Sequence, residues 1–496
     1  MAPIITQTVT LSPLDQLADR MYMSMFLVFK TPDPGRAVDA LKAGLRRLNR
    51  RLPYLHGRVI ATDDNRLGLR WASTDREVEL LEMPAKDTLL SRMSFQQLDD
   101  ENAPLHYFQR SFCPQPLFVP IHSNSEAPVI AVNYTCLDGG VVLGFSPQHN
   151  ALDGTGEAEL IRLWAHFART GSDDVEETST LDPDEPLYRE HLLRSATGQP
   201  ATTRNAQEPN PSFEDLLAKH PQYTLRSRRR PPPFHAKQAP TMGSGASKVF
   251  AFDVTKLDAV KAALSAQGLA PETARRLTTN NVLSAVMWSS ITRARAARRG
   301  QDFATTSKLG FPIDVRRHLG LGQCLGPRVG GDVQQRPPFL GNVVCRGMAE
   351  VSVPDLVRAG TMDGDGLGEL AAVVEAVAGA VARVTRERVV EVMDMVDCAE
   401  DAGDFMVGWD SFGGPDVMMT SWANMGLYEA DFGEAVGRPK FVRVPEAKTD
   451  GMLIVLPRKA EERREGAVEH IEVVVIMHAK DMAALERDQV WTSCLA

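Results

Sequence analysis

The feature that most limits how this chain can fold is a pair of apolar runs, PVIAVNYT (Pro128 to Thr135) and GVVLGFSP (Gly140 to Pro147). They are separated by Cys136-Leu137-Asp138-Gly139, and Asp-Gly between two apolar runs is a hairpin-turn signal, so two adjacent antiparallel strands are expected. The second run leads into HNALDG, His149 to Gly154, and then into a stretch from Gly156 to Ala168. There Leu160, Leu163, Trp164 and Phe167 recur at helical spacing.

Strand and helix signals are mixed through the rest of the chain as well, which reads as a mixed α/β fold. A strand is expected over Met21 to Phe29, and a helix carries Val38, Leu41, Leu45 and Leu48. Later come a strand at Lys248 to Val254, helices at Leu257–Ala266 and Val282–Arg295, and one long helix from Leu367 to about Val396. Strands follow at Val417–Trp422, Leu453–Leu456 and Ile471–His478, and a closing helix near Asp481–Gln489. With 496 residues the chain exceeds what one core usually organises. Between Gly171 and Gly245 composition shifts to Asp, Glu, Pro, Ser and Arg with little periodicity, the mark of a crossover. The expected division is residues 1–195, a linker at 196–245, and residues 246–496, with a ligand cleft between the lobes.

Composition narrows the function. Apolar residues make up 43% and charged residues 24%, the balance of an ordinary globular chain. A net charge of −9 disfavours a nucleic-acid or anionic-membrane partner, both of which demand surplus Lys and Arg. The six cysteines show neither CxxC nor paired spacing, so no metal centre and no disulfide framework is expected. No basic segment followed by an apolar one opens the chain, and no apolar run reaches bilayer length. The expectation is a cytosolic protein without a membrane anchor.

The sharpest chemical feature is His149. Of the eleven histidines it alone has an aspartate, Asp153, four residues on. An imidazole with an unperturbed pKa of about 6.5 can accept a proton at neutral pH, and a general base typically contributes roughly 10²–10⁴-fold. Asp153 can hold the turn, and Gly154 permits close backbone approach. The competing interpretation is a strand-to-helix turn in which Asp153 merely caps the helix and His149 is a buried polar residue. Two further segments stand out: TSWANMGLYEADFGEAVGRP (Thr420 to Pro439) and TTNNVLSAVMWSSITRAR (Thr278 to Arg295). Taken singly, each reads more readily as packing and turns than as a site.

Six ordered segments together resemble the BAHD acyltransferase family, particularly its fungal branch that includes trichothecene acetyltransferases. They are LSPLDQ (Leu11 to Gln16), LPYLHGRV (Leu52 to Val59), HNALDG as His-x-x-x-Asp-Gly, and SAVMWSSITRAR (Ser284 to Arg295). FPIDVRRHL (Phe311 to Leu319) with FLGN (Phe339 to Asn342), and Thr-Ser-Trp followed by Asp431-Phe432-Gly433, complete the set. Departures are Gln148, where many relatives carry a second histidine, and Glu434-Ala435-Val436-Gly437 after Gly433. The stretch Gly320 to Pro338 has the look of an insertion.

The resemblance implies two chloramphenicol-acetyltransferase-like lobes with a channel at their interface and His149 at its middle. Acyl-CoA, expected to be acetyl-CoA, would be a co-substrate rather than a resident cofactor, and a small-molecule alcohol or amine the acceptor. His149 matches the base and Asp153 a supporting aspartate. Thr420, Ser421 and Trp422 are the candidate oxyanion donors. Asp431 and Gly433 match a structural loop remote from the chemistry, for which Arg316 is a candidate ionic partner. For the coenzyme's phosphates, Arg275 and Arg276 precede Thr278 and Thr279 at an expected helix start, where free N–H groups and cations favour anions. Arg226, Arg228, Arg229 and Arg230 form an alternative cluster. No acyl-enzyme and no metal is called for, and a monomer is expected. Competing readings are a condensation-type enzyme drawing on a carrier-bound acyl group, and a silent binding protein of the same fold.

Overall fold

The computed structural model describes residues 5–83, 90–121, 125–171, 184–198, 211–228, 245–267, 269, 271–300, 304–321, 339–360, 364–411, 413–459 and 469–496. The hairpin forms as expected: Ile130–Leu137 pairs antiparallel with Gly140–Pro147, closing through Leu137 and Gly140. Gly139 takes φ 74°, a conformation that costs glycine little and most other residues more. The hairpin sits inside a five-stranded sheet ordered Pro439–Arg443, Met25–Lys30, Gly140–Pro147, Ile130–Leu137 and Leu80–Glu82.

The helices Pro34–Arg51 and Gly154–Thr170 pack on each other beside this sheet. Trp164 donates its indole N–H to the Leu41 carbonyl at 2.9 Å. Gly44 makes that approach possible, because a Cβ there would lie 2.8 Å from the Ala168 nitrogen.

Sheet pairing crosses the expected partition at 196–245. Pro439–Arg443, assigned by sequence to the second lobe, pairs antiparallel with Met25–Lys30. Its Phe441 and Val442 are both buried although they point to opposite faces, so this strand requires a sheet covered on both sides. One continuous core accordingly joins Phe29, Leu143 and Trp164 to Phe432 and Val442, and further to Ile454 and Val474. At the same joint the buried Arg443 guanidinium donates to both Glu472 oxygens, at 2.9 and 3.0 Å, and to the carbonyls of Asn102 and Ala103.

A six-stranded sheet is ordered Gly245–Asp253, His470–His478, Met452–Val455, Val417–Ser421, Thr306–Asp314 and Val344–Ser352. Its strands Met452–Val455, Val417–Ser421 and Thr306–Asp314 run parallel. The helix Thr279–Arg299 lies along them in the opposite direction. Ser284 donates to the Met419 sulfur near one end, and Arg295 donates to the Asp416 carbonyl near the other.

Other expectations are corrected. Within the crossover stretch the described residues form the helices Glu185–Thr197 and Phe213–Lys219 and the strand Tyr223–Leu225, which pairs with Phe405–Val407. The long helix divides into Gly364–Ala382 and Arg386–Asp397, because Thr385 caps the second by accepting the Arg388 N–H. The closing helix divides likewise into Ala479–Leu485 and Gln489–Ser493, where Asp488 caps the last turn. Arg229, Arg230 and positions 322–338 of the apparent insertion lie outside the described residues.

Candidate active site: a histidine turn held from four sides

His149 leaves the strand Gly140–Pro147 in a turn and is partly buried. Its N–H donates to the Met21 carbonyl at 2.9 Å, and its own carbonyl accepts from Asn342 Nδ2 at 2.8 Å. Nδ1 of the ring is buried and has no hydrogen-bond partner. Gln148 Oε1 accepts the Asn150 N–H at 2.6 Å, closing the turn locally.

Asp153 caps the following helix, accepting the Gly156 N–H at 2.9 Å on Oδ1. It is buried and faces Arg316, whose Nη1 and Nη2 reach the two carboxylate oxygens at 2.8 and 2.9 Å. Such fork-to-fork pairing combines charge with fixed geometry. The same guanidinium donates to the carbonyls of Phe339 and Gly341, and the Val343 N–H reaches Asp153 Oδ2 at 3.0 Å. Gly156 is small for a reason: a Cβ there would lie 2.0 Å from the Leu340 carbonyl oxygen.

A second buried carboxylate, Asp15, holds the other flank. Its Oδ1 accepts both the N–H and the Nδ2 of Asn342, at 2.8 and 2.9 Å. Ser12 donates Oγ to Oδ2 at 2.7 Å, and Arg189 Nη1 stands 3.4 Å from that oxygen. Arg189 also donates to the Ala151 carbonyl at 3.0 Å and pairs with Glu185 through two bonds. Burial alone would lower the Arg189 pKa, but Glu185 and Asp15 more than offset it, so the group is held charged. Four segments widely separated in sequence therefore converge on residues 149–154: LSPLDQ, the crossover helix, the short helix Arg316–Leu319, and FLGN.

One pairing anticipated from sequence is wrong. Arg316 belongs to Asp153, not to Asp431. Asp431 is half-exposed, accepts the Gly433 N–H at 3.0 Å and lies 3.8 Å from Arg438. Its loop packs at the far end of the helix, where Gly433, at φ 89°, leaves no room for a Cβ beside Arg169. Phe432 stacks edge-on against Phe29 and Trp164. Helical rise from Gly154 to Arg169 sets this loop roughly 22 Å from the histidine turn. A fully buried carboxylate needs a cation and a partly solvated one does not, which accounts for the choice Arg316 makes.

Thr420 and Ser421 end the central parallel strand, and Trp422 follows directly. Trp422 is buried with its N–H on the Val455 carbonyl, Thr420 is partly buried and Ser421 is exposed. The turn that follows brings Met425 against Gly154. Thr278 caps the helix Thr279–Arg299, accepting the Asn281 N–H at 3.2 Å. That helix start shares the sheet end that carries Thr420, Ser421 and Arg316. Arg275 lies in the short helix just before it, exposed, with Nε on the Pro271 carbonyl at 3.2 Å; the Arg276 side chain lies outside the described residues. Arg228 of the alternative cluster pairs with Glu214 instead. A separate cleft of about 330 Å³, lined by Tyr223, Lys308, Trp409 and Asp416 among others, lies at the opposite end of the strand Thr306–Asp314.

Glu157, in the first turn of the same helix, was not singled out from sequence. It is fully buried and neither carboxyl oxygen has a hydrogen-bond partner. Burial, reinforced by the charge on Asp153, pushes its pKa well above the ordinary 4.5. The native state thus keeps a proton that the unfolded chain gives up above that value, so stability falls as pH rises until folded Glu157 itself ionises. Glu157→Gln removes this titration. It is expected to gain on the parent by up to about 1.4 kcal/mol per pH unit across that window. Thermal unfolding of both proteins between pH 5 and 8 checks this, and a constant difference would contradict it.

The chain belongs to the Transferase family, whose model matches residues 2–491, and this membership makes it an acyltransferase. It is similar to trichothecene 8-O-acetyltransferase of Fusarium sporotrichioides, with 30% identity over 99% of this chain and 98% of that one. The solved structure of TRI101 from F. graminearum, complexed with coenzyme A and deoxynivalenol, superposes with a TM-score of 0.73 at 18% identity and covers 99% of each chain. Vinorine synthase matches with a TM-score of 0.54 at 15% identity, over 97% of this chain and 96% of that one. These likenesses establish the fold as the two-lobed, chloramphenicol-acetyltransferase-like one. Among the described residues no helix is long and apolar enough to cross a membrane.

Proposed function

We propose that the protein transfers an acyl group, with acetyl first in line, from coenzyme A to a hydroxyl of a fungal secondary metabolite, with His149 as general base. The observation that carries this reading is a partly exposed imidazole on a main chain immobilised from several elements, the condition for a positioned base. Nδ1 is buried, so Nε2 is the nitrogen left to take the acceptor proton. As it does so, the acceptor oxygen attacks the thioester carbonyl. The tetrahedral oxyanion would find donors in Thr420, Ser421 or Trp422, a contribution of about 2.7–4 kcal/mol in comparable sites. Collapse expels the coenzyme thiolate, which recovers the proton from the imidazolium, so no acyl-enzyme forms.

The start of the helix Thr279–Arg299, with Thr278, Thr279, Arg275 and Arg276, is the proposed phosphate site. It lies at the sheet end shared with the oxyanion candidates. Acyl-CoA and acceptor would meet in a channel between the lobes of a monomeric, cytosolic enzyme. Asp153 and Arg316 support the turn, while Asp431 and Gly433 anchor the segment that joins the lobes. The resemblance to a named 8-O-acetyltransferase favours a hydroxyl acceptor.

Purified protein with acetyl-CoA and a panel of hydroxylated natural products should release coenzyme thiol and yield a product heavier by one acetyl group. Amine acceptors and an acyl-carrier donor form separate arms of the same screen. Turnover only with the carrier-bound donor would replace this reading by a condensation-type one, and coenzyme binding with no transfer to any acceptor would favour a silent binding protein.

A further inference from the structure

Histidine bases are commonly oriented by a hydrogen bond on the second ring nitrogen. Here that nitrogen is buried and unpartnered, and the aspartate four residues on is taken up by Arg316. The hydrogen bonds that hold this residue are instead on its main chain, at its N–H and its carbonyl. The His149 carbonyl accepts from Asn342 Nδ2 at 2.8 Å, and the same amide nitrogen stands 3.3 Å from the Asn150 carbonyl. Asn342 is held in turn by Asp15 Oδ1 through both its N–H and its Nδ2. Asn150 Nδ2 returns to the Asp15 and Ala18 carbonyls at 2.8 and 2.9 Å, and Arg189 takes the Ala151 carbonyl.

We propose that Asp15 and Asn342 are positioning residues for the base: Asp15 fixes the Asn342 carboxamide, and that carboxamide fixes the peptide plane from which the His149 ring projects. This rests on His149 being the base. Asn342 reaches the turn through the main-chain carbonyls of His149 and Asn150, not through the imidazole, so its role needs no contact with a substrate. Asp15 remains well supplied without the Asn342 side chain, because the Asn342 N–H, Ser12 and Arg189 still face it. The His149 carbonyl, in contrast, loses its donor.

Asn342→Ala is the test, with Asn342→Ser as the second variant should the first fail to fold. The serine hydroxyl is too short to span Asp15 and the His149 carbonyl together. A misplacement of about 1 Å costs a reaction roughly 10²-fold, so kcat should fall between about 10- and 100-fold. The KM for acetyl-CoA should stay within about 3-fold, because transition-state geometry is lost and not coenzyme binding. The same substitution is then placed on His149→Ala. If Asn342 acts through the imidazole, the residual rate should change by less than about 2-fold in that background. Equal losses in both backgrounds would show general structural support and overturn the proposal, as would an unchanged kcat in a folded single variant. Wild-type turnover by His149→Ala alone would instead refute the base assignment, an outcome readily told apart from the others.

Discussion

Replacing His149 by alanine is expected to lower kcat by about 10²–10⁴-fold while the protein folds normally. The ring is partly exposed and its Nδ1 bonds to nothing, so truncation strands no buried partner. The bonds that shape the turn use the His149 N–H and carbonyl, which alanine retains. Thermal stability should therefore stay close to that of the parent, and coenzyme should still bind. Steady-state kinetics with a confirmed acceptor, beside a melting curve and a coenzyme titration, make the comparison. Activity within about 10-fold of the parent would remove the imidazole from the mechanism.

Arg316→Ala is expected to act the opposite way, on stability before chemistry. Asp153 is almost fully buried and faces this guanidinium through two bonds. Removing one partner leaves a desolvated charge with only the Gly156 and Val343 N–H groups as donors, a change that typically costs about 3–5 kcal/mol. The carbonyls of Phe339 and Gly341 lose donors in the same stroke. The control is Arg438→Ala. Its contact with Asp431 is 3.8 Å long between partly exposed side chains, and pairs of that kind are worth about 0–1 kcal/mol. Urea unfolding of the two variants should separate them clearly. Equal, small effects would mean that the pairing of Asp153 with Arg316 does not hold the site together.

The contrast between those two arginines shows where sequence reasoning stops. FPIDVRRHL marks Arg316 as notable, but nothing local to it distinguishes Asp153 from Asp431 as partner. Burial made that choice, and burial is a property of the folded chain. Arg189 was missed for a related reason. It sits in a stretch whose composition reads as linker, and its one local signal is Glu185 four residues before it, a spacing equally common on solvated helices. Glu157 likewise looks like an ordinary first-turn acid until the structure closes over it.

What this chain's sequence determined by itself is whatever short-range patterning controls: the hairpin at 130–147, the turn that ends it, the helix behind, and an imidazole set at their junction. Those follow from turn chemistry, apolar period and side-chain type within some forty residues. Only the tertiary structure decided that Pro439–Arg443 would complete the sheet begun by Met25–Lys30, and that Asp15, Arg189, Arg316 and Asn342 would meet around one turn. Partners so far apart along the chain are selected by which charges and which apolar faces must leave water together, and that free energy belongs to the assembled core.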